Sequence, residues 1–186
     1  MCSDNVPPTQ PSAIPAGRSF EDFSVGDVFV HPLGRTITQA DNIWSSLIAQ
    51  NQGPLHINAH YSAGTAWGRP LVDSTFTLAV ITGQSVGDLS LRIKANLGWD
   101  RVRCPNPLFE GDTLYSRSEV LQVRPSASHP DAGIVRVRTM GYRQDGTVVM
   151  TCERTLLVFK RGCGPAGAEA VQPVIDERTA RAIEGQ

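Results

Sequence analysis

A histidine lies within a polar, turn-forming stretch, Asn51-Gln52-Gly53-Pro54-Leu55-His56-Ile57-Asn58, where residue types and spacing point to proton chemistry. An imidazole titrates near neutral pH, so His56 can take a proton from water and return one. The ring can equally do no more than cap the turn after Pro54. Asn51 stands five residues earlier. Its amide accepts no proton at a useful pH, but its donor and acceptor groups can hold a water or a carbonyl. Asp73 directly precedes a slim, uncharged run and offers either an acid–base group or a charge that favours a helix N-terminus. Arg69 is near enough in sequence to pair with a substrate carboxylate, or it is a solvated charge.

His60 follows His56 by four residues, a metal-ligand spacing only if both occupy one helix. Pro54 and an Asn58 cap put His56 before that helix, and neither Glu nor Cys completes a set. No metal site is expected. His31 and His129 stand beside prolines and read as surface loop residues.

These groups need a frame. Phe20–Phe23 reads as a turn, Val25–Val30 as a first strand after Gly26-Asp27, and Gly34–Ile37 as an extended continuation. Thr38 and Asp41 form a capping box for a helix ending near Gln50 or Asn51. Ile43, Trp44, Leu47 and Ile48 make one apolar stripe on it. Gly53 and Pro54 break the chain, and Asn58 caps a short helix reaching about Ala66. Ser74–Ser85 reads as a helix buried on several sides. Four strand-like runs follow: 95–102, 113–123, 133–142 and 148–159, with a tight hairpin at Gln144–Thr147. Helices ahead of an antiparallel sheet make an α+β domain, with the sheet wrapped around one slim helix. The domain is expected over residues 19–161, after a disordered arm (1–18) and before a linker with a possible short helix (162–186).

Composition excludes several classes. A formal charge of −1 gives no broad electrostatic case for nucleic acid. No apolar run approaches the ~18 residues of a membrane span. Cys2, Cys104, Cys152 and Cys163 lack metal-like spacing and read as free thiols in a reducing cytoplasm. No G-x-G-x-x-G follows a strand, and no cofactor is implied.

Five segments in order resemble the MaoC-like, R-specific enoyl-CoA hydratases of the hot-dog fold. They are Phe23–Asp27, Thr38–Asp41, Pro54–Asn58, Gly68–Val72 and Pro107–Thr113. Ala95–Arg103 and Ser118–Leu121 are similar to the branch that hydrates mesaconyl-CoA and itaconyl-CoA. The resemblance implies a single hot-dog domain, too short for the double form, working as a homodimer or dimer of dimers with the site between subunits. It implies an acyl-CoA thioester substrate, with a catalytic histidine at His56 and its usual aspartate partner replaced by Asn51. It also implies a backbone N–H near Ser74 that receives the thioester carbonyl. CoA phosphates would then need scattered cations, for which Arg101 and Arg103, alternating on one strand face, are candidates. The expected reaction adds water across an enoyl-CoA, giving citramalyl- or methylmalyl-CoA. A hot-dog thioesterase and a non-catalytic acyl-CoA-binding subunit are the rivals, the second kept open by Asn51.

Overall fold

Residues 17–164 are described in a computed structural model of the chain. The expected arm up to residue 16 and the helix expected at 173–184 lie outside these residues. Arg18, at the end of that arm, is already part of the fold: its guanidinium donates to the Asp88 carboxylate at 3.2 Å.

One strand precedes the helices. β1 (Val28–Thr36) joins both extended pieces through an irregularity between His31 and Arg35. α1 (Gln39–Ile48) starts at the predicted box: Asp41 N–H donates to Thr38 Oγ1 at 3.2 Å, and Thr38 N–H donates to Asp41 Oδ2 at 3.0 Å. These Thr38 bonds and nearby Arg35 hold the Asp41 carboxyl below its ordinary range. Pro54 does not simply break the chain. It opens a four-residue helix, α2 (Pro54–Ile57), because a proline at the first helical position gives up no needed N–H. His56 therefore sits inside a short helical turn, ahead of the Asn58-capped helix as expected. Asn58 caps α3 (Ala59–Ala63) by accepting the Tyr61 N–H at 3.0 Å. Asp73 caps α4 (Ser74–Gln84), which continues into a π-helical turn, Val86–Ser90.

β2 (Ile93–Arg103), β3 (Thr113–Pro125), β4 (Ala132–Arg143) and β5 (Val148–Phe159) complete one antiparallel sheet of order β1-β3-β4-β5-β2. The last three strands form the expected meander, with Gly146 at φ +82° in the hairpin. α4 lies against the inner face of the sheet. Ile81, fully buried, packs with Leu114, Met150 and Cys152. A Cβ on Gly141 would lie 2.8 Å from Ile81 Cγ2, so the bare backbone there lets the helix sit close. The opposite side of α4 is open: Thr75, Ala79 and Gly83 are exposed, so the helix is covered on fewer sides than expected. Among the described residues no helix is long and apolar enough to cross a membrane.

Two side-chain expectations are overturned. His31 is buried, not a surface residue. β1 is an edge strand, where Pro32 costs no ladder bond, so the strand runs through the proline. His31 Nδ1 donates to Asp88 Oδ2 at 2.8 Å, and its Nε2 meets Ser118 Oγ at 2.9 Å, which in turn meets Thr139 Oγ1 at 2.8 Å. This polar layer ties the π-helical turn to three strands. On α1 the apolar stripe faces outward: Trp44, Leu47 and Ile48 are exposed, while Asn42 and Ser46 are fully buried.

Candidate active site

The α2 turn and the segment leading to α4 meet at one backbone carbonyl. His56 Nδ1 lies 2.8 Å from the Leu71 oxygen. A carbonyl can only accept, so Nδ1 carries the proton and Nε2 of the neutral ring is left as an acceptor. That is the tautomer a general base needs. Leu71 N–H also donates to the Leu55 oxygen at 3.1 Å, pinning the two segments together.

Asn51 and Asp73 form the second part. Asn51 Nδ2 donates to Asp73 Oδ2 at 2.6 Å, and Asn51 Oδ1 accepts the Gly53 N–H at 3.0 Å. These bonds fix which end of the amide is oxygen. One Nδ2 hydrogen and one oxygen lone pair stay free for a water or carbonyl. A Cβ on Gly53 would lie 3.0 Å from Asn51 Oδ1 and 3.4 Å from His56 Cδ2, the ring carbon bonded to Nε2. The amide and the imidazole ring thus both flank Gly53, where an added side chain would press on the Asn51 oxygen.

Asp73 is almost wholly buried, at 3% exposure. Burial alone would raise its pKa. The Thr75 hydroxyl, the Asn51 amide and the Thr75 N–H more than offset that, with His56 adding to the effect when its ring is protonated, and the net shift is downward. Thr75 N and Oγ1 both lie 2.7 Å from Asp73 Oδ1. Asp73 is thus an ionised helix cap, and its low pKa makes it a weak proton acceptor and a poor acid at neutral pH. The Ser74 N–H at the start of α4 has no partner among the described residues, and Ser74 is exposed. Such a donor at a helix N-terminus suits a developing oxyanion.

A cavity of about 160 Å³ opens beside Ser74, walled by Trp67, Leu71, Val72, Thr77, Leu108 and Met150. Arg69 lies over the Phe109 ring, 4.0 Å from its centroid, and Trp67 meets the same ring edge-on at 6.2 Å. Arg69 is exposed and forms no ion pair among the described residues.

The structure brings His56, Asn51, Asp73 and Ser74 into one neighbourhood, and it engages the strand arginine Arg101 in an ion pair. Arg101 takes a left-handed φ of +49°, and the β2–β5 register shifts between Asp100 and Arg103, so simple alternation fails. Arg101 pairs with Glu153 at 3.4 Å, alongside Arg136 at 2.7 Å and Arg138 at 3.2 Å. Burial would raise the Glu153 pKa, but the Arg138 hydrogen bond and the Arg101 and Arg136 charges pull it down. Glu153 alternates along β5 with Cys152, which packs on α4, so this cluster lies on the outer sheet face. Arg103 is exposed at the end of β2 and donates to the neighbouring Val102 oxygen.

Asn42 escaped the sequence reading. Neither periodicity nor a motif marks it, because its bonds go to backbone atoms of distant segments.

Comparison with known proteins follows the same lines. The family profile described as Mesaconyl-CoA hydratase matches residues 11–182. The chain is 31% identical over 157 residues to a mesaconyl-CoA hydratase of Cereibacter sphaeroides, covering 84% of this chain and 46% of that protein. It is likewise 31% identical over 157 residues to a beta-methylmalyl-CoA dehydratase of Chloroflexus aurantiacus, covering 84% and 44%. A solved structure of a putative MaoC domain dehydratase from Chloroflexus aurantiacus superposes with TM-score 0.76 at 30% identity, covering 87% of this chain and 46% of that one. A Mycobacterium tuberculosis protein described as a double hotdog fold gives TM-score 0.70 at 26% identity, covering 87% and 53%. The chain spans about half the length of the curated relatives it matches. An antiparallel sheet around a central helix, His56 and Asn51 flanking Gly53, and these matches lead to one assignment: the chain is a hot-dog protein of the mesaconyl-CoA hydratase family.

Proposed function

We propose that this protein adds water reversibly across the double bond of an enoyl-CoA thioester, acting as a carbon–oxygen lyase. The substrate is a branched five-carbon dicarboxylyl-CoA such as mesaconyl-CoA or itaconyl-CoA, giving methylmalyl- or citramalyl-CoA. One observation carries the reading: His56 Nδ1 is committed to the carbonyl of Leu71, in the segment leading to α4, leaving Nε2 as an acceptor.

In the addition, the water oxygen bonds to the β-carbon while its proton passes to His56 Nε2. The π electrons move toward the thioester, and negative charge gathers on its oxygen. The Ser74 N–H and the α4 dipole stabilise that enolate. The imidazolium then protonates the α-carbon, which restores His56 and completes the net addition of water. Asn51 holds the water with its free amide hydrogen or lone pair. Asp73 holds Asn51 and caps α4; its charge, beside the enolate, is neutralised by three donors and, once its ring is protonated, by His56.

Arg69 takes the free carboxylate of the substrate. A charge-assisted bond of about 1.5–3 kcal/mol corresponds to roughly 10- to 150-fold in binding. Arg69→Ala should therefore raise KM for mesaconyl-CoA or itaconyl-CoA by about that much and leave KM for crotonyl-CoA, which has no second carboxylate, within about twofold. An equal loss on both substrates removes Arg69 from acyl recognition. Arg103 is the better placed of the two strand arginines for a CoA phosphate, since Arg101 is held by Glu153.

Two copies complete the enzyme. β2 is a free sheet edge with Leu97 and Trp99 exposed, and the Thr75–Ala79–Gly83 side of α4 is bare. Light scattering on the purified protein should give twice the chain mass or a multiple of it; a monomer that turns over substrate contradicts this assembly. The cytoplasm fits Cys104, Cys152 and Cys163, all free thiols.

Loss of enoyl absorbance with mesaconyl-CoA or itaconyl-CoA tests the reaction, and a thiol reagent run in parallel detects thioester cleavage. Thiol release without hydration favours a thioesterase. Binding without either favours an acyl-CoA-binding subunit.

A further inference from the structure

Asn42 is fully buried on α1, directly after the Thr38–Asp41 box that sets the start of the helix. Its Nδ2 donates to the His56 oxygen at 3.0 Å and to the Leu71 oxygen at 3.1 Å, with the Glu110 carboxylate a longer contact at 3.4 Å. Its Oδ1 accepts the Asp73 N–H at 3.0 Å. The amide orientation is unambiguous, because carbonyls face the nitrogen and an N–H faces the oxygen. No other side chain of this size presents two donors and an acceptor in that fork. Asn42 thus binds the backbones of His56, of the residue that receives the His56 ring proton, and of the carboxylate that holds Asn51.

We propose that Asn42 is a positioning residue that sets the proton state and aim of His56. Both ends of the Nδ1–H···O=C bond hang from it: the His56 main chain at one end and the Leu71 oxygen at the other. The Leu71 oxygen has two lone pairs, one taken by His56 and one by Asn42. With Asn42 gone, three backbone groups lose a partner, and only the Leu71–Leu55 backbone bond and the ring bond itself still tie the α2 turn to Leu71, so the turn can shift. The ring then exchanges its Nδ1–H form for the Nε2–H form, which cannot accept the water proton. The catalytic consequence rests on His56 being the base of the proposed hydratase; the consequence for the tautomer does not.

The test uses full-length protein with nitrogen-labelled histidine. In the wild type, His56 should show a protonated Nδ1 and a bare Nε2. In Asn42→Ala, the Nε2–H form should appear, with kcat for hydration about 10- to 100-fold lower and KM within about twofold, the range expected when a reacting group is misplaced by about 1 Å. Should Asn42→Ala not fold, Asn42→Ser, which keeps one hydroxyl for the Asp73 N–H, takes its place. Thr38→Ala removes the side-chain cap of α1, keeps the Thr38 carbonyl that accepts the Asn42 N–H, touches none of the Asn42 side-chain bonds, and should leave the tautomer and kcat as they were. An unchanged His56 tautomer in a folded Asn42 variant overturns the proposal, as does an equal change in Thr38→Ala. If His56→Ala retains hydration, the hydratase mechanism fails, and the spectrum still decides the role of Asn42.

Discussion

His56→Ala should lower enoyl-CoA hydration by about 10²- to 10⁴-fold, the span that a positioned acid–base group contributes. The loss should fall on kcat, because the ring moves a proton in the transition state and is not assigned a share in holding CoA. The fold should survive. His56 is only partly buried, and the α2 turn is closed by main-chain bonds, His56 N–H to the Gly53 oxygen and Asn58 N–H to the Pro54 oxygen. Deleting the ring also frees the Leu71 oxygen, which still accepts from Asn42. Thermal unfolding of the variant should therefore stay within a few degrees of wild type, equivalent to about 1 kcal/mol for one lost hydrogen bond. A folded His56→Ala with wild-type kcat means that the proton moves elsewhere.

The second large effect concerns Asn51 and Asp73 as a pair. Asn51→Asp places a carboxylate where the amide now donates to Asp73 Oδ2 across 2.6 Å. Two carboxylates so close cannot both ionise, and the pair takes up a shared proton with one pKa driven upward. Raised folded values contribute stability below the unfolded carboxylate pKa of about 4 and lose it as pH rises through the folded value. The variant should accordingly match wild type best near pH 4 and fall behind by about 1–3 kcal/mol at pH 8, one to two units of pKa shift. Wild-type Asp73 behaves the other way. Its lowered pKa supplies stability above the unfolded value that is lost on acidification through the folded one. Asn51→Asp alone should also cost at least about 10-fold in kcat, because the proton held by the pair distorts the amide site facing His56. Combining it with Asp73→Asn restores one donor and one carboxylate across the gap. The double variant should recover both stability and turnover, with a coupling free energy of about 0.5–3 kcal/mol in the double-mutant cycle. Additive losses show that the two residues do not act as a unit.

Much of the fold was legible because its signals are local. Thr38 with Asp41, Asn58, and Asp73 before an uncharged run each announce a helix start through bonds made within three residues. The strand runs and the Asp145-Gly146 hairpin needed only turn chemistry and β propensity. Covering partners were not legible. Trp44, Leu47 and Ile48 share a face as periodicity predicts, but periodicity does not say what lies against that face, and within one chain it is bare. The polar side of α1 turns inward because Asn42 meets carbonyls from residues 56 and 71.

The site divides in the same way. His56 and Asn51 are proposed from residue type and spacing, and Ser74 through the family resemblance. The Asn51–Asp73 bond spans 22 residues and Asn42–Leu71 spans 29, so no local pattern records them. Asp73 was weighed as acid, base or cap; the three donors around it favour the cap. The Arg101–Glu153 ion pair spans 52 residues and is likewise recorded in no local pattern. His31 was read by its neighbour Pro32, yet an edge strand tolerates proline and buries the imidazole against Asp88 and Ser118.

Mass spectrometry of the products formed from mesaconyl-CoA in water enriched in heavy oxygen tests the central claim most directly. The account predicts an intact CoA thioester that has gained one water, with the heavy oxygen in the new hydroxyl, formed by wild type and not by His56→Ala. Free CoA with the heavy oxygen in a released acid, or mesaconyl-CoA and itaconyl-CoA both recovered unchanged from the folded wild-type protein, would contradict it.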